Sequence, residues 1–308
     1  MEELIIVGAG PAGLTAAIYA TRYGIRTKVV TLDIGGQLNL ARKIENYPGF
    51  LEIRGSELAK LMYEQALKSG ASFCFEEVKG FERIEEGFLV RTNKAEHKCK
   101  ALILAFGRTP RKLGCKGEEK LLGKGVSYCA TCDMPLFENK VVVVVGGGNA
   151  AFDAALYGSE LASKVYLVHR RREFRAFPSL VDEVRKKENV ELVLDSVVEE
   201  IRGKDKVESV VIKNLATNEL REIACDGVFI EIGSEVKREL VEGFVKLNER
   251  GEIVINELCE TFCPESEEKL AGCFAAGDVA STLLKQIVVA CSTGAIAATS
   301  AATYLLKS

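Results

Sequence analysis

Short apolar runs that end in glycine organise the chain. Residues 4–7 (LIIV) predict a buried strand, and the glycine-rich segment 8–13 (GAGPAG) follows it directly. The spacing of apolar residues then predicts a helix at 14–23, and 28–31 (KVVT) predicts the next strand. A strand, a glycine turn, a helix and a strand within about thirty residues are the context expected of a dinucleotide-binding unit.

The same pattern returns in the middle of the chain. The valine run 141–145 is too uniformly apolar for a half-exposed strand and predicts a central parallel strand. Residues 146–151 (GGGNAA) supply the glycine turn, with Ala151 at the place of the third glycine. A helix up to Ser163 and a strand at 164–168 follow, so the sequence predicts a second unit of the same design.

The remaining apolar segments complete the predicted elements. Further helices are predicted at 56–69 and from 287 onward, and further strands at 72–78, 88–92, 101–105, 191–193, 207–212, 227–232 and 272–277. Segments 102–107 and 228–233 resemble each other, because each is an apolar strand that leaves into glycine. We interpret these two segments as the points where the chain passes between domains.

The predicted fold class is α/β, with two Rossmann-like dinucleotide-binding domains. Residues 1–112 and 239–308 are expected to form the first domain, and 113–238 a second domain inserted into it. Segment 108–125 has many charged residues and four glycines, a composition typical of a linker or a domain crossing.

Composition narrows the class of protein. The 308 residues are 47% hydrophobic and 28% charged, as in soluble globular proteins. A net charge of −3 provides no overall basic field for nucleic acid or anionic membranes. Segment 287–306 is apolar but contains many small and hydroxyl residues, so we expect a buried or interface helix and no membrane span.

Ten cysteines and a start without basic residues (MEE) predict a protein of the reducing cytoplasm. The pair Cys129 and Cys132, with Asp133 directly after it, has the spacing of a redox-active dithiol. Each sulfur influences the pKa of the other, and the neighbouring carboxyl can exchange a proton in each half-reaction. Half of a structural zinc site has the same spacing, so the flanking sequence must decide between the two interpretations.

The glycines of the first turn have separate roles in a dinucleotide site. Gly8 permits the tight turn, Gly10 lets the backbone approach a pyrophosphate, and Gly13 allows the helix to pack closely on the strand. The amides at the helix N-terminus then favour the phosphates. The predicted second strand carries no acidic residue at its end for a ribose hydroxyl, and Asp33 is expected slightly beyond it.

A basic segment, 169–175 (HRRREFR), follows the second strand of the second unit. Arginine forks match the geometry of a phosphate, so this unit is expected to prefer NADPH to NADH. The alternative is an exposed basic loop with no ligand.

The order of these motifs resembles that of the low-molecular-weight thioredoxin reductases over nearly the whole chain. The matching segments are GAGPAG (8–13), GGQL (35–38), ENYPG (45–49), CATCD (129–133), GGGNAA (146–151), HRRREFR (169–175) and FAAGDV (274–279). The resemblance implies an FAD site at Gly8, Gly10, Ala12, Gly13, Gly36, Gln37, Leu38, Asn46, Gly107, Gly277, Asp278, Gln286 and Ile287. It implies an NADPH site at Gly148, Asn149, Ala150, Arg170, Arg171 and Arg175.

The resemblance also assigns roles to the catalytic residues. It implies that Cys132 faces the flavin, that Cys129 attacks the disulfide of a thioredoxin-like protein, and that Asp133 donates and accepts the proton. The family is homodimeric, and its inserted domain rotates about hinges that correspond here to residues near 108–113 and 233–238. The chain departs from the family pattern at both crossings, 105–107 (AFG) and 233–237 (GSEVK), and at 134–137 (MPLF), where the family has glycine and aromatics that help to dock the partner.

Several alternatives remain at this point. The electron donor could be ferredoxin or a deazaflavin, and the chain could be a non-catalytic redox sensor or a zinc-stabilised binding module. A reductase of a peroxiredoxin system is disfavoured because we expect no N-terminal thioredoxin-like extension. Cys259 and Cys263 have no His or Cys partner close in sequence, so no metal site is predicted. Of the two histidines, His169 is expected to shape the phosphate loop and to take no part in acid–base chemistry.

Overall fold

A computed structural model describes residues 1–41 and 44–307 of the chain. The chain divides into two compact units, Met1–Thr109 with Glu235–Ser308, and Pro110–Ser234. The strands are β1 (Glu2–Ala9), β2 (Thr27–Ile34), β3 (Ser72–Phe75), β4 (Val78–Ile84), β5 (Gly87–Thr92), β6 (Glu96–Leu104), β7 (Thr109–Pro110), β8 (Val126–Ser127), β9 (Val141–Val145), β10 (Lys164–Val168), β11 (Val190–Val193), β12 (Ser196–Arg202), β13 (Ser209–Asn214), β14 (Leu220–Ala224), β15 (Gly227–Ile230), β16 (Ser234–Glu235), β17 (Glu260–Phe262) and β18 (Lys269–Ala275). The α-helices are α1 (Pro11–Arg22), α2 (Gly55–Lys68), α3 (Ala130–Asp133), α4 (Asn149–Leu161), α5 (Pro178–Arg185) and α6 (Ile287–Leu305).

The first unit is built on a sheet with the order β17-β18-β6-β1-β2-β3, and β4 and β5 extend it from β6. The pairs from β18 through β3 are parallel, whereas β4, β5 and β17 pair antiparallel. Alternate residues of β1 enter opposite cores, with Ile6 on one face of the sheet and Ile5 on the other. Burial on both faces explains why this strand is a continuous apolar run.

The second unit contains a parallel sheet with the order β11-β10-β9-β15-β8 and a separate antiparallel sheet of β12, β13 and β14. The prediction of a central parallel strand at 141–145 is confirmed, since β9 lies between β10 and β15. Val144 packs with Phe152 of α4, and Val143 packs into the core on the other face. The uniform valine run therefore reflects a strand that is buried on both faces.

Several elements differ from the sequence-based expectations. The strand predicted at 72–78 is two strands, β3 and β4, because Glu76 and Glu77 separate them. Helix α1 begins at Pro11, three residues before the predicted start, since proline is well suited to the first helical turn. The expectation that Asp33 lies beyond the second strand is wrong, because β2 continues to Ile34. Strands β12 and β14 and helix α5 do not follow from the sequence pattern.

Helix α6 is, by length and composition alone, long and apolar enough to cross a membrane. One of its faces nevertheless packs into the core of the first unit, through Ala297, Ala298 and Ala301. A Cβ at Gly294 would lie 2.2 Å from the carbonyl oxygen of Ala12, so α6 approaches α1 at backbone distance. The helix therefore has a structural role in this unit, as a buried or interface helix would.

Candidate active site

The Cys129 and Cys132 pair forms a disulfide, with Cα atoms 5.3 Å apart, at the first turn of the short helix α3. The backbone amide of Cys132 donates a hydrogen bond to Cys129 Sγ at 3.1 Å, and the amide of Asp133 donates to the Cys129 carbonyl at 3.1 Å. After reduction, an amide that points at Cys129 Sγ favours the thiolate over the thiol. Cys132 is the more exposed of the two cysteines, and Cys129 is half-buried.

A buried carboxylate anchors the chain that enters this turn. Glu118 is only 1% exposed and accepts hydrogen bonds from the amides of Leu113 and Gly114 and from the hydroxyl of Tyr128, at 2.9, 2.7 and 2.6 Å. Burial and the Glu118 carboxylate raise the pKa of Tyr128, so the phenol keeps its proton. Tyr128 precedes Cys129 directly, and Glu118 thus fixes a segment whose composition predicts a looser linker.

The residues after the motif belong to the core of the second unit. Met134 is fully buried, and Phe137 packs edge-on against Phe229 of β15, with ring centroids 5.3 Å apart. In this segment Leu136 is the large apolar side chain that is exposed. The departure from the family pattern at these positions therefore gives the dithiol turn a packed base, with Leu136 exposed beside it.

Glu231 is a residue at this site that the sequence did not identify. It follows β15, and its carboxylate accepts a hydrogen bond from the amide of Ala130, the residue directly after Cys129, at 3.3 Å. Burial raises the pKa of Glu231 to about 7, and repulsion from Asp153 adds to the effect. Alignment of the two similar strands would have revealed this residue, because Glu231 stands where the first strand has Ala105.

The first glycine turn has the tight backbone that its sequence predicts. Gly8 has a φ of +103°, and a Cβ there would lie 2.5 Å from the carbonyl oxygen of Ala105. A Cβ at Gly13 would lie 1.9 Å from the carbonyl oxygen of Gly8. Gly10 precedes α1 and provides no side-chain cap, and a Cβ at Gly36 would lie 3.8 Å from the Cα of Gly10. Among the described residues, the start of α1 thus approaches the Gly35–Gly36 segment through glycine backbone on both sides.

Residues from distant segments meet around this turn. Gln37 donates from its side chain to the Arg108 carbonyl at 3.0 Å, next to Gly107, and Asn46 donates to the side chain of Gln286 at 3.0 Å. A Cβ at Gly277 would lie 2.8 Å from the Ala12 methyl group. The expected FAD residues occupy the following places: Gly36, Gln37 and Leu38 in one 3-10 helix, Gly277 and Asp278 in another, and Gln286 and Ile287 at the start of α6.

Asp278 lies in a charged environment. Burial raises the pKa of its carboxyl group, and the nearby cations Lys285 and Arg108 act in the opposite direction. The buried carboxylate of Glu252 joins these two cations, at 3.0 Å from Arg108 and 3.2 Å from Lys285. A polar cluster thus stands beside the aspartate that the resemblance assigns to the flavin.

The second glycine turn holds the basic segment in place. The Arg175 amide donates to the Gly147 carbonyl at 2.8 Å, and the ring of His169 covers Gly147, where a Cβ would lie 2.2 Å from the imidazole. The Asn149 side chain accepts a hydrogen bond from the Phe177 amide at 2.9 Å. Burial lowers the pKa of His169, and repulsion from the nearby arginines adds to this effect. The hydrogen bond to the Glu173 carbonyl acts in the opposite direction but does not cancel it. A neutral His169 fits the predicted role of shaping the loop.

The four arginines of this segment differ in their partners. Arg172 forms an ion pair with Asp195 at 2.7 Å. Arg170, Arg171 and Arg175 are exposed, and within residues 1–41 and 44–307 none of them has a carboxylate partner. Three guanidinium groups are therefore available to a ligand in this loop.

The start of α4 is open beside these arginines. A Cβ at Gly148, the residue before the helix, would meet no atom of the described residues within 4 Å beyond its own chain neighbours. Ala150 in the first turn of the helix is exposed. Within the described residues, the second turn thus combines an unobstructed helix N-terminus with positive charges that have no carboxylate partner.

Comparison with known proteins agrees with this geometry. The family described as pyridine nucleotide-disulphide oxidoreductase matches residues 2–294. The chain belongs to this family.

Relatives within the pyridine nucleotide-disulphide oxidoreductases resemble the chain along its length. A thioredoxin reductase of Peptoclostridium acidaminophilum is 40% identical over 311 residues, which cover 98% of this chain and 96% of the relative. The crystal structure of Lactococcus lactis thioredoxin reductase superposes with a TM-score of 0.89 at 35% identity and full coverage of both chains. A ferredoxin-flavin thioredoxin reductase from Clostridium acetobutylicum is 35% identical over 99% of this chain and 98% of its own, with a TM-score of 0.54. The resemblance to thioredoxin reductases is thus confirmed, together with the two-domain Rossmann-like fold.

Membership in this family implies a flavin and a nicotinamide cofactor, and the residues present fit both groups. At the first turn, Gly10 and Gly36 leave a space between them that a Cβ on either residue would narrow. The backbone amides at the start of α1 have no side-chain cap and can donate to a phosphate there. At the second turn, the space at Gly148 and the three arginines, which have no acidic partner in the part of the chain that the structure describes, can accommodate phosphates. The disulfide of Cys129 and Cys132 supplies the redox centre that the family name requires.

Proposed function

We propose that this protein is an NADPH-dependent thioredoxin-disulfide reductase that contains FAD. The net reaction is NADPH + H⁺ + protein disulfide → NADP⁺ + protein dithiol. The observation that carries the proposal is a Cys129–Cys132 disulfide in one chain with two dinucleotide turns, of which the second has arginines without acidic partners among the described residues. FAD, when bound at the first turn, supplies the carrier that accepts a hydride and reduces a disulfide.

The dithiol carries out the exchange with the partner protein. The Cys129 thiolate attacks one sulfur of the partner's disulfide, so that a mixed disulfide forms and the other partner sulfur leaves as a thiolate. Cys132 then attacks Cys129 Sγ, which restores the Cys129–Cys132 disulfide and releases the partner as a dithiol. The Cys132 amide stabilises the attacking thiolate, and Asp133 exchanges the protons of the two thiols.

The second unit orients the nicotinamide cofactor. Arg170, Arg171 and Arg175 would bind the 2′-phosphate that distinguishes NADPH from NADH, and Gly148, Asn149 and Ala150 would place the pyrophosphate at the N-terminus of α4. Asn149 has a second role, since its side chain holds the Phe177 amide and thereby the end of the arginine loop.

Assembly and location follow from the same proposal. The partner is a thioredoxin-like protein disulfide, and no nucleic acid or membrane takes part in the reaction. We infer a cytoplasmic homodimer, in which the exposed side of α6, including Val288 and Ile296, contributes to the subunit contact.

The dithiol must serve the flavin and an external protein in turn, so we infer rotation of residues 113–238 about segments near 108–113 and 233–238. A crosslink that joins 113–238 to the rest of the chain should abolish turnover but leave either flavin reduction or disulfide reduction intact. Full turnover in the crosslinked protein would contradict rotation.

Spectroscopy tests the proposal directly. The purified protein should show a flavin absorption spectrum, NADPH should bleach it, and an added thioredoxin disulfide should restore it. Cys132→Ser and Cys129→Ser should each bind flavin but lose protein-disulfide turnover. Cys115→Ser, a half-buried thiol outside the pair, is the matched control and should retain turnover. A colourless protein, or turnover that survives loss of either sulfur, would refute the proposal.

A second candidate keeps the dithiol but changes the electron donor. The similarity to a ferredoxin-flavin thioredoxin reductase favours this candidate, because that relative has a comparable length and fold. The arginine loop argues for NADPH. If reduced ferredoxin or a deazaflavin bleaches the flavin while NADPH leaves it oxidised, the second candidate is correct.

A further inference from the structure

Cys74, Glu76 and His97 form a cluster of metal-ligating side chains in the first unit, apart from the candidate active site. Cys74 lies on β3, Glu76 follows that strand, and His97 lies on β6. One ligand atom from each residue lies within 4.8 Å of the other two, and all three side chains are half-buried. We propose that this cluster binds a zinc ion.

The present spacing requires only a small closure around an ion. Ligand atoms in a tetrahedral zinc site are separated by about 3.5 Å, given metal–ligand bonds of about 2.0–2.3 Å. Glu76 Oε2 and His97 Nε2 are 2.9 Å apart in a hydrogen bond, which the ion would replace as these two atoms separate slightly. Burial, together with the Glu76 carboxylate, raises the pKa of the Cys74 thiol. Because all three ligand atoms lie within 4.8 Å of one another, the widest pair needs to approach by at most about 1.3 Å, a distance that side-chain rotation can provide.

The donor set selects the class of metal. One sulfur, one imidazole nitrogen and one carboxylate oxygen suit Zn²⁺, whereas Mg²⁺ and Ca²⁺ prefer oxygen ligands alone. The side chains of His97 and Glu76 are 14% and 12% exposed, so water can occupy a fourth position. Such a site has three protein ligands and one exchangeable ligand.

Neighbouring groups hold the ligands in place. Thr92 donates to Glu76 Oε2 at 2.5 Å, and the Asn93 side chain accepts from the Glu77 amide at 2.9 Å. The hydrogen bond from His97 is the main reason that the pKa of Glu76 is lowered to about 2, so Glu76 is a carboxylate at neutral pH. Burial raises the pKa of Cys74, and zinc must therefore displace its proton.

The positive charges of two lysines oppose the binding of a zinc ion. Lys28 and Lys94 both act on Cys74 electrostatically, and Lys94 donates to the Phe75 carbonyl at 3.0 Å. Both lysines favour the thiolate that zinc requires but repel the ion itself. The bound ion would join β3, which pairs only with β2 in the described sheet, to β6.

Cobalt titration tests the site in the flavin-loaded protein with the Cys129–Cys132 disulfide intact, so that those sulfurs do not compete. After treatment with a chelator, Co²⁺ should give visible bands of a tetrahedral thiolate site at wavelengths above the flavin absorption, saturate near a single equivalent, and be displaced by Zn²⁺. Cys74→Ser and His97→Gln should weaken binding by more than the roughly 10–100-fold typical of outer-shell changes. Cys263→Ser, a half-buried thiol outside the cluster, is the control and should titrate like the unaltered protein.

A second measurement needs no variant and keeps the proposal testable if a variant fails to fold. Zn²⁺ should slow the alkylation of Cys74 by iodoacetamide, as followed by peptide mass spectrometry, and should leave Cys115 and Cys263 unaffected. Equal alkylation of Cys74 with and without Zn²⁺ would overturn the proposal. So would cobalt bands that survive in both Cys74→Ser and His97→Gln, since the ion would then bind elsewhere.

Discussion

The two glycine turns share one backbone plan and differ in the side chains around it. In each turn, a glycine at the end of a strand lies against a carbonyl oxygen on a neighbouring segment. A Cβ at Gly8 would lie 2.5 Å from the oxygen of Ala105, and one at Gly146 would lie 2.2 Å from the oxygen of Glu231. The backbone geometry alone therefore requires glycine at this point in both units.

The differences separate a shared scaffold from a specific ligand. Gly13 has no counterpart in the second turn, where Ala151 occupies the third position and is fully buried. Near the end of its second strand, β2, the first unit has Asp33, whose carboxylate accepts a hydrogen bond from the Gly36 amide at 3.0 Å. At the corresponding place, directly after β10, the second unit has arginines. Under the proposed function, the repeated turn binds a dinucleotide in each unit, and the charge at the end of the second strand distinguishes the two dinucleotides.

Of the substitutions that test the difference between the two turns, Gly13→Ala should have the largest effect on stability and flavin binding. Its Cβ would meet the Gly8 carbonyl oxygen at 1.9 Å, so we expect a loss of at least about 3 kcal/mol of stability, the upper range for overpacking, and loss of bound flavin. Urea unfolding and the ratio of flavin to protein absorbance measure both effects.

Two substitutions serve as controls for this prediction. Gly80→Ala places a Cβ where nothing among the described residues lies within 4 Å and should remain close to the parent protein. Ala151→Gly in the second turn should cost about 1 kcal/mol, the usual penalty for glycine in a helix. A stable, flavin-loaded Gly13→Ala variant would show that the first turn is no tighter than the second.

Removal of the arginines should have the next largest effect. Hydrogen bonds to charged groups contribute about 1.5–3 kcal/mol each, so the double variant Arg170→Ala/Arg171→Ala should raise the KM for NADPH by at least about 100-fold. The KM for NADH should change little. Steady-state kinetics with both cofactors measure the difference.

Arg172→Ala is the matched control, because Arg172 forms an ion pair with Asp195 at 2.7 Å. An exposed ion pair contributes at most about 1 kcal/mol, so this variant should keep the preference for NADPH. If Arg172→Ala lowers that preference as much as the double variant does, the assignment of the phosphate contacts is wrong.

Glu231→Gln sharpens the comparison between the two strands that leave into glycine. Burial raises the pKa of Glu231 to about 7 from its ordinary 4.5. Between about pH 4.5 and 7 the folded state holds a proton on Glu231 that the unfolded state has lost. The free energy of unfolding therefore falls as the pH rises through this range, and the loss due to Glu231 is complete above about pH 7. The glutamine variant should match the parent protein below about pH 4.5 and exceed its stability at about pH 8 by about 1–3 kcal/mol.

Urea denaturation at acidic and mildly alkaline pH measures this difference. Ala105→Ser, at the equivalent position of the first unit, introduces no titrating group and should leave the pH dependence unchanged. A Glu231→Gln variant with the pH dependence of the parent protein would show that the carboxyl group titrates normally.

Asp33→Ala should have the smallest effect. It removes the bond to the Gly36 amide from an exposed carboxylate, for which we expect about 0.5–1.5 kcal/mol. The loss should appear as weaker flavin retention, with the NADPH-to-NADH preference unchanged. A change in that preference would contradict the separate roles of the two turns.

Much of the candidate site could be predicted from the sequence because its residues are neighbours in the chain. The disulfide joins positions separated by 3, and the glycine turns occupy six-residue segments. Strand boundaries are harder to predict. The apolar pattern leaves Asp33 outside its strand because apolar periodicity fades before the backbone pairing ends, and pairing of Ala9 with Ile34 extends β2.

Polar residues far apart in the chain could not be assigned partners in this way. In the sequence, Glu118 is one charge in a segment that resembles a linker, but in the fold it is buried and binds three donors. Cys74 and His97 have no recognisable spacing, since the β4–β5 hairpin separates them. Hydrophobic periodicity specifies which face of an element is buried, and it carries no information on which polar groups meet there.

By itself, the sequence determined the residues on which the proposed chemistry depends: two glycine-rich turns, a pair of cysteines with an adjacent carboxyl group, and arginines beyond one strand. These features depend on residue type and short spacing, which folding does not change. Only the tertiary structure decided that Glu231 reaches the Ala130 amide across 101 positions, and that Arg172 is paired with Asp195. Such contacts depend on how strands and helices pack, because packing alone sets the distance between groups that are remote in the chain.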